Sequence, residues 1–119
     1  MINTMRYQLR GITQVYRGQL FVIPLEQPVV IGRLQTADIR VDDASVSRKH
    51  CTLMQSGDSL FVRDENSVNG SYVNGVRLTA AERRLQHRDI LQVGKVALMV
   101  EEMVEIEADT PVYVMAALA

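Results

Sequence analysis

The chain alternates between short apolar runs and tight polar turns. Before residue 95, no segment of ten or more residues carries the 3.6-residue period of a helix. The runs that resemble strands lie at 7–12, 19–23, 28–31, 38–41, 51–55, 59–63, 71–73, 76–78, 89–93 and 95–100. Nine or ten short strands separated by turns predict an all-β protein, either a sandwich or a barrel.

The clearest local signal is the hairpin around Asn74-Gly75. These two residues separate the apolar runs 71–73 and 76–78. An Asn-Gly pair in this setting predicts a two-residue type I′ turn, because both central residues need a positive φ. Just after the hairpin, Thr79 and Glu82 have the spacing of a capping box, which predicts a single helical turn.

The stretch after residue 100 fits two patterns. Met99, Val100, Met103 and Val104 would lie on one face of a helix, whereas residues 104–107 alternate as a strand does. We therefore divide the chain into a domain over residues 1–100 and an acidic, then apolar, tail over 101–119. The tail can be an edge strand, a linker or disordered.

Charge is distributed unevenly between these two parts. The chain of 119 residues has a net charge of −1, which argues against a general nucleic-acid binder. Residues 1–100, however, carry 13 basic and 9 acidic side chains, whereas residues 101–119 carry five acidic side chains and no basic one. A cationic body suits a protein that binds anions.

Several function classes find little support in the residues. The two histidines, His50 and His87, lie in different turns, no Cys/His group has metal-ligand spacing, and no nucleotide-binding fingerprint is present. We therefore expect no enzyme, no metal and no cofactor, with a hydrolase using Ser47 and His50 kept as an alternative. Cys51, the single cysteine, is expected to be a buried thiol. The absence of an apolar span long enough for a membrane predicts a cytoplasmic protein with no membrane partner.

The best candidate chemistry is anion binding by three loops. Gly32-Arg33 follows one strand, residues 45–50 connect two strands, and Asn69-Gly70 precedes another. Arginine can give a phosphate two parallel hydrogen bonds, a serine hydroxyl adds a donor, and an asparagine amide suits a peptide backbone. Loops of a sandwich can cluster at one end, where the strands hold them in place.

The same residues resemble the forkhead-associated (FHA) domain. The resemblance covers roughly residues 7–100 in order, and its motifs lie at 31–33, 37–43, 46–53, 60–75 and 85–94. It implies a β-sandwich of two sheets and about eleven strands. It also implies a non-catalytic adaptor whose partner is a phosphothreonine-containing substrate of a Ser/Thr kinase. It does not define an oligomeric state.

The resemblance assigns roles by position. It implies that Arg33 binds the phosphate, that Ser47 donates a hydrogen bond to it and that Arg48 adds a further contact. Asn69 would hold the peptide backbone just after the phosphothreonine. A second set of residues would shape the binding loops: Gly32, His50, Val68 and Gly70.

Two positions depart from the family pattern. Val68 stands where the family usually has Ser or Thr, so one hydrogen bond to phosphate is lost, although Val68 can still contact the threonine methyl. This departure favours an alternative, a phospho-independent interaction or assembly domain. Arg88 stands where Gly is common, which implies strain if its φ is positive. The acidic tail suggests a further hypothesis, in which its five carboxylates lie near the cationic loops and compete with the ligand. In a second form of this hypothesis, Thr110 is phosphorylated and bound by a neighbouring copy.

Overall fold

The computed structural model describes residues 3–79, 81–106 and 112–116, and these residues form an all-β protein. A single 3-10 turn, Gln14–Tyr16, follows the first strand, and no helix among them is long and apolar enough to cross a membrane. The strands are β1 Asn3–Gly11, β2 Leu20–Ile23, β3 Val29–Gly32, β4 Ile39–Arg40, β5 Cys51–Ser56, β6 Ser59–Asp64, β7 Ser71–Val73, β8 Val76–Arg77, β9 Arg83–Leu85, β10 Ile90–Val93, β11 Val96–Ile106 and β12 Val112–Met115. The predicted fold class is confirmed, with twelve strands here where the family pattern implied about eleven.

The strands form two sheets that enclose one core. The first sheet has the order β2-β1-β11-β10-β7-β8, with β12 added beside β11, and the second has the order β4-β3-β5-β6-β9. Alternate side chains point between the sheets; the fully buried leucines are Leu9, Leu53, Leu60, Leu85, Leu91 and Leu98. Each such side chain contributes about 1.5–3 kcal/mol to the hydrophobic stabilisation. Cys51 lies in this core, where desolvation raises the pKa of its thiol, and acts as a small apolar residue.

The predicted hairpin turn is confirmed by its dihedral angles. Asn74 and Gly75 have φ values of 51° and 81°, as a type I′ turn requires. The Asn74 side chain also links this hairpin to β10, since Ile90 N donates to its Oδ1 at 2.8 Å. Arg88 has a φ of 71°, which is the strained conformation expected for a position where Gly is common.

The structure places the start of the predicted tail inside the body. β11 continues to Ile106 and pairs with β1 along its whole length, so the boundary predicted at residue 100 falls within a strand. The outward carboxylates are neutralised there, because Arg10 Nε donates to Glu101 at 3.0 Å and Arg6 donates to Glu105 at 3.0 Å. Of the three alternatives for the tail, an edge strand describes residues 112–115, which pair with 103–106.

One element between the hairpin and β10 was not predicted. The helical turn predicted for residues 79–82 includes Ala80, which lies outside the described residues. It is followed by β9, whose three residues are Arg83, Arg84 and Leu85. Two consecutive arginines give no alternating pattern, so only pairing with β6 and the burial of Leu85 identify this strand.

Candidate functional site

Three connecting segments meet at one end of the sandwich, which we call the loop end: residues 33–38, 41–50 and 65–70. Arg33 N donates to Ser47 O at 3.1 Å, which joins the first segment to the second. Asn69 Nδ2 donates to Ser45 O at 2.8 Å, which joins the third segment to the second. The two strongest sequence candidates, Arg33 and Ser47, are thus brought together by main-chain contacts.

The central segment, residues 41–50, is anchored from inside the protein. Val46 is buried between Ser45 and Ser47, so the exposed part of the loop is pinned to the core. Asp43 closes a tight turn by accepting hydrogen bonds from the backbone N–H and the hydroxyl of Ser45. These hydrogen bonds hold the pKa of Asp43 below its ordinary value, so its carboxylate keeps the turn closed at neutral pH.

Gly32 allows the main chain of the first segment to lie directly against the second. A Cβ on Gly32 would lie 2.0 Å from Arg48 O and 2.9 Å from Arg48 C. The space that a side chain would need is occupied by backbone, which allows Leu34 N to donate to Arg48 O at 3.2 Å. The glycine therefore determines how closely Arg33 approaches Ser47, and its role is a close approach rather than an unusual φ.

Arg33 is exposed at the loop end, and its guanidinium is oriented by the backbone. Its Nε donates to Val46 O at 3.0 Å. This bond turns the plane of the guanidinium and leaves the two terminal nitrogens as a pair of parallel donors. Such a fork matches two oxygens of a phosphate.

Ser47 has every main-chain group engaged, which fixes the position of its hydroxyl. Its N–H donates to His50 Nδ1 at 3.0 Å, and its carbonyl accepts from Arg33 N. Its Oγ accepts the backbone N–H of Val68 at 2.9 Å. Because a hydroxyl has one proton to donate and that bond uses a lone pair, the proton stays available for a ligand oxygen.

His50 is fully buried and connects two of the three segments. Its Nδ1 accepts from Ser47 N, and its Nε2 donates to Gly70 O at 2.9 Å. These partners require the neutral tautomer with the proton on Nε2. Since both ring nitrogens bind main-chain groups, His50 has none left to act as a base for Ser47. The hydrolase alternative is therefore wrong.

Val68 and Asn69 form the exposed tip of the third segment. Val68 is 85% exposed, an unusual position for an apolar residue in the body of the domain. Its backbone N–H donates to Ser47 Oγ, which places the main chain of Val68 beside the Ser47 hydroxyl. Asn69 is also exposed, and its amide nitrogen is already engaged with Ser45 O.

Asp64 supports this third segment from below, a role that sequence reasoning missed. Its carboxylate accepts the N–H of Ser67 at 3.0 Å and the hydroxyls of Ser67 and Ser71, both at 2.6 Å. Partial burial acts to raise the pKa of Asp64, but these hydrogen bonds together outweigh it and the pKa lies below its ordinary value. The Asp-x-x-Ser spacing of residues 64–67 was the available signal.

The remaining cations of the loop end differ in their surroundings. Lys49 lies 3.6 Å from Glu65, so its charge is balanced. Arg48 is exposed beside Ser47. Arg77, which was not considered a site residue, lies against Gly70; the pairing of Tyr72 with Arg77 across the predicted hairpin was the signal for it.

The acidic residues 101–106 lie far from the loop end. β11 begins there, since Lys95 N donates to Ser45 Oγ at 2.8 Å, and it then runs away along the sandwich. At about 3.4 Å per residue, Glu105 is roughly 30 Å further along the strand. This position does not support competition between a ligand and Glu101, Glu102 or Glu105, whereas Glu107, Asp109 and Thr110 lie outside the described residues.

The loop end thus presents an arginine fork, a serine hydroxyl and an exposed amide on one surface, next to further arginines. The free groups of Arg33 and Ser47 are donors, and the free Oδ1 of Asn69 is an acceptor. The positive charges of Arg33 and Arg48 lie in the same segments as the carboxylates of Asp38, Asp42, Asp43 and Glu65. Such a surface can bind an anion that is attached to a peptide, because the fork and hydroxyl suit the anion and the amide suits a backbone.

Comparison with known proteins agrees with this description. The family model of the FHA domain matches residues 29–94, which is more than half of the chain. The oxoglutarate dehydrogenase inhibitor of Corynebacterium jeikeium is 36% identical over 82 residues, which cover 69% of this chain and 55% of that protein. The glycogen accumulation regulator GarA of Mycolicibacterium smegmatis is 38% identical over 76 residues, covering 63% of this chain and 47% of that protein.

Solved structures give the same result. A structure described as a structural and functional analysis of phosphothreonine-dependent FHA domain interactions superposes with a TM-score of 0.72 at 28% identity. The superposition covers 80% of this chain and 94% of that chain. The chain spans about half or less of the length of the curated relatives that it matches, so the resemblance concerns one domain of those proteins.

Proposed function

The chain belongs to the FHA-domain family, and we propose that its loop end binds a phosphothreonine in a partner protein. In this proposal the protein is a non-catalytic adaptor that recognises substrates of a Ser/Thr kinase. The observation that supports it best is the pair formed by the Arg33 fork and the Ser47 hydroxyl. Backbone hydrogen bonds hold both of them next to each other.

The proposed phosphate contact uses charge and geometry together. The two terminal nitrogens of Arg33 donate to two phosphate oxygens, and the Ser47 hydroxyl donates a hydrogen bond to the third. Hydrogen bonds to a charged group contribute about 1.5–3 kcal/mol each. Because the backbone already orients both side chains, little conformational entropy is lost when the phosphate binds. Arg48, exposed beside Ser47, adds positive charge that attracts the dianion.

Asn69 is proposed to hold the peptide itself. Its Nδ2 binds Ser45 O, so the amide plane is fixed and its Oδ1 is directed by that bond. An oxygen in a fixed position can accept a backbone N–H of the peptide just after the phosphothreonine. The exposed Val68 side chain lies next to this point and offers an apolar surface to the threonine methyl.

The class of partner is proposed from the relatives. One relative is named an inhibitor and another a regulator, which supports a role in regulation rather than catalysis. We propose a cytoplasmic setting, where Ser/Thr kinases act.

Titration with paired peptides tests the proposal. A library of phosphothreonine peptides and the same peptides without phosphate are titrated against the protein by fluorescence anisotropy. We expect measurable binding only for phosphorylated members, because the unphosphorylated hydroxyl leaves the Arg33 fork without a partner. Equal affinity for both members of each pair contradicts the proposal and favours the phospho-independent interaction domain.

Replacing Val68 with Thr is expected to tighten phosphopeptide binding by about tenfold or more. Threonine has the shape of valine, so the loop is preserved, and its hydroxyl adds one hydrogen bond to the phosphate beside Ser47, worth about 1.5 kcal/mol or more. Isothermal titration calorimetry with one phosphopeptide measures the change. Val68→Ala is the matched control and brings no gain; an unchanged affinity for Val68→Thr shows that this position does not face the phosphate.

A further inference from the structure

Arg77 covers the main chain of the residue that follows Asn69. A Cβ placed on Gly70 would lie 2.8 Å from Arg77 Nε, 3.1 Å from its Cζ and 3.3 Å from its Nη2. The guanidinium therefore occupies the space beside the buried Gly70, while Arg77 itself stays exposed. This contact fixes the guanidinium at the edge of the loop end.

The charge of Arg77 is not balanced by a carboxylate among the described residues. The ion pairs there are Arg6–Glu105, Arg10–Glu101, Arg40–Asp42, Lys49–Glu65 and Arg63–Glu65. None of them includes Arg77. An arginine stays protonated at any physiological pH, so the surface beside Asn69 has a fixed positive charge.

The position of Arg77 relative to the proposed phosphate contacts follows from the order of the contacts along the chain. Ser47 Oγ binds the N–H of Val68, Asn69 comes next, and Arg77 lies on Gly70. Gly70 is thus two residues beyond Val68, and since the backbone bends there, the two residues are at most about 7 Å apart. A bound peptide advances by a similar step per residue, so a ligand side chain within a few residues of the phosphothreonine reaches the guanidinium.

We propose that Arg77 forms an anion-binding contact that selects an acidic side chain on the C-terminal side of the phosphothreonine. The choice of the C-terminal side of the phosphothreonine rests on the proposed function, in which Asn69 holds the peptide backbone just after the phosphorylated residue. A carboxylate can accept two parallel hydrogen bonds from a guanidinium. Because the pair is exposed to solvent, the expected preference is modest, about twofold to fivefold in affinity.

A purely structural role for Arg77 predicts something different. If the guanidinium only shields Gly70, its removal weakens all peptides by the same factor, because the loop that presents Asn69 is disturbed. A specificity role changes the ratio of affinities between peptides. This ratio does not depend on the fraction of folded protein, so it separates the two roles even where a variant is less stable.

The test uses phosphothreonine peptides in which Glu is placed in turn at each of the four positions after the phosphothreonine, with Gln at the same positions as reference. Fluorescence anisotropy gives the Glu/Gln affinity ratio for the full chain and for its variants. We expect one or two positions to prefer Glu in the wild type, and Arg77→Gln to bring that ratio to about one. Arg84→Gln is the matched control, since Arg84 is an exposed arginine on β9 of the other sheet and its variant should keep the ratio.

Reversing the charge of Arg77 provides the strictest test. Arg77→Glu should prefer Lys over Glu at the same peptide position, which a structural role does not predict. Three results would each overturn the inference. The Glu preference survives in Arg77→Gln, the Glu and Gln peptides lose affinity equally, or the wild type shows no preference. The Gln peptides also report the proposed function by themselves: if the wild type binds none of them in a phosphate-dependent way, both the function and this inference fail.

Discussion

Replacing Arg33 with Ala is expected to weaken phosphothreonine-peptide binding by more than about a hundredfold. The substitution removes the guanidinium that the backbone orients at the loop end, and two charge-linked hydrogen bonds at about 1.5–3 kcal/mol each correspond to that loss. Stability should change little, because Arg33 is exposed and its Nε bond to Val46 O contributes only about 1 kcal/mol. Isothermal titration calorimetry and thermal melting measure the two effects.

Two controls define the meaning of that result. Arg33→Lys keeps the charge but lacks the fork, so its affinity should lie between those of the wild type and Arg33→Ala. Arg84→Gln removes an equal charge from the exposed face of β9, outside the three segments of the loop end, and should bind as the wild type does. If the Arg33→Ala variant still binds its partner protein, phosphate recognition is not the function of the loop end, and the domain acts as a phospho-independent interaction module.

Replacing Gly32 with Ala is expected to lower the free energy of unfolding by about 2–4 kcal/mol. The added Cβ would lie 2.0 Å from Arg48 O, and the atoms in its way are backbone, which cannot rotate aside as a side chain does. The segment 41–50 must shift, so Arg33 and Ser47 separate and phosphopeptide affinity falls as well. Urea denaturation measures the first effect, and peptide titration of the folded variant measures the second.

Gly57 provides the matched control for Gly32. It lies in the turn between β5 and β6 with a φ of +60°, and a Cβ there would meet no atom within 4 Å. Gly57→Ala should therefore cost about 1 kcal/mol through its backbone conformation alone and leave peptide affinity unchanged. If Gly32→Ala is no less stable than Gly57→Ala, the close approach at Gly32 does not determine the geometry of the loop end.

Alternation along the chain was a good guide where a strand has one buried face. The run of residues 59–63 corresponds to β6, whose buried side chains Leu60 and Val62 are aliphatic. The run of residues 51–55 corresponds to β5, although its buried side chains include Gln55. The same rule did not predict β9, because Leu85 is the only buried residue of that strand. It also failed to extend β11 past residue 100. Glu101 and Glu105 predicted a solvated tail, whereas in the structure they form ion pairs with Arg10 and Arg6.

The residues of the candidate site could be found from the sequence, but their roles in the structure could not. Arg33, Ser47 and Asn69 belong to motifs with recognisable spacing. The bond from Val68 N to Ser47 Oγ and the guanidinium of Arg77 on Gly70 join residues that are 21 and 7 positions apart. Such contacts depend on how two loops approach each other, and no local pattern encodes that distance.

The sequence by itself determined that the chain is all-β, that its loops carry an arginine, a serine and an asparagine in the order of the FHA family, and that Val68 lacks the usual hydroxyl. These properties follow from side-chain periodicity and identity, which are local. Only the tertiary structure decided that His50 is a buried link between two loops and that residues 101–106 belong to the body. It also decided that Arg77 lies against Gly70 with no carboxylate partner among the described residues. Each of these depends on which strands pair and in which register, because pairing brings together residues that are distant in the chain.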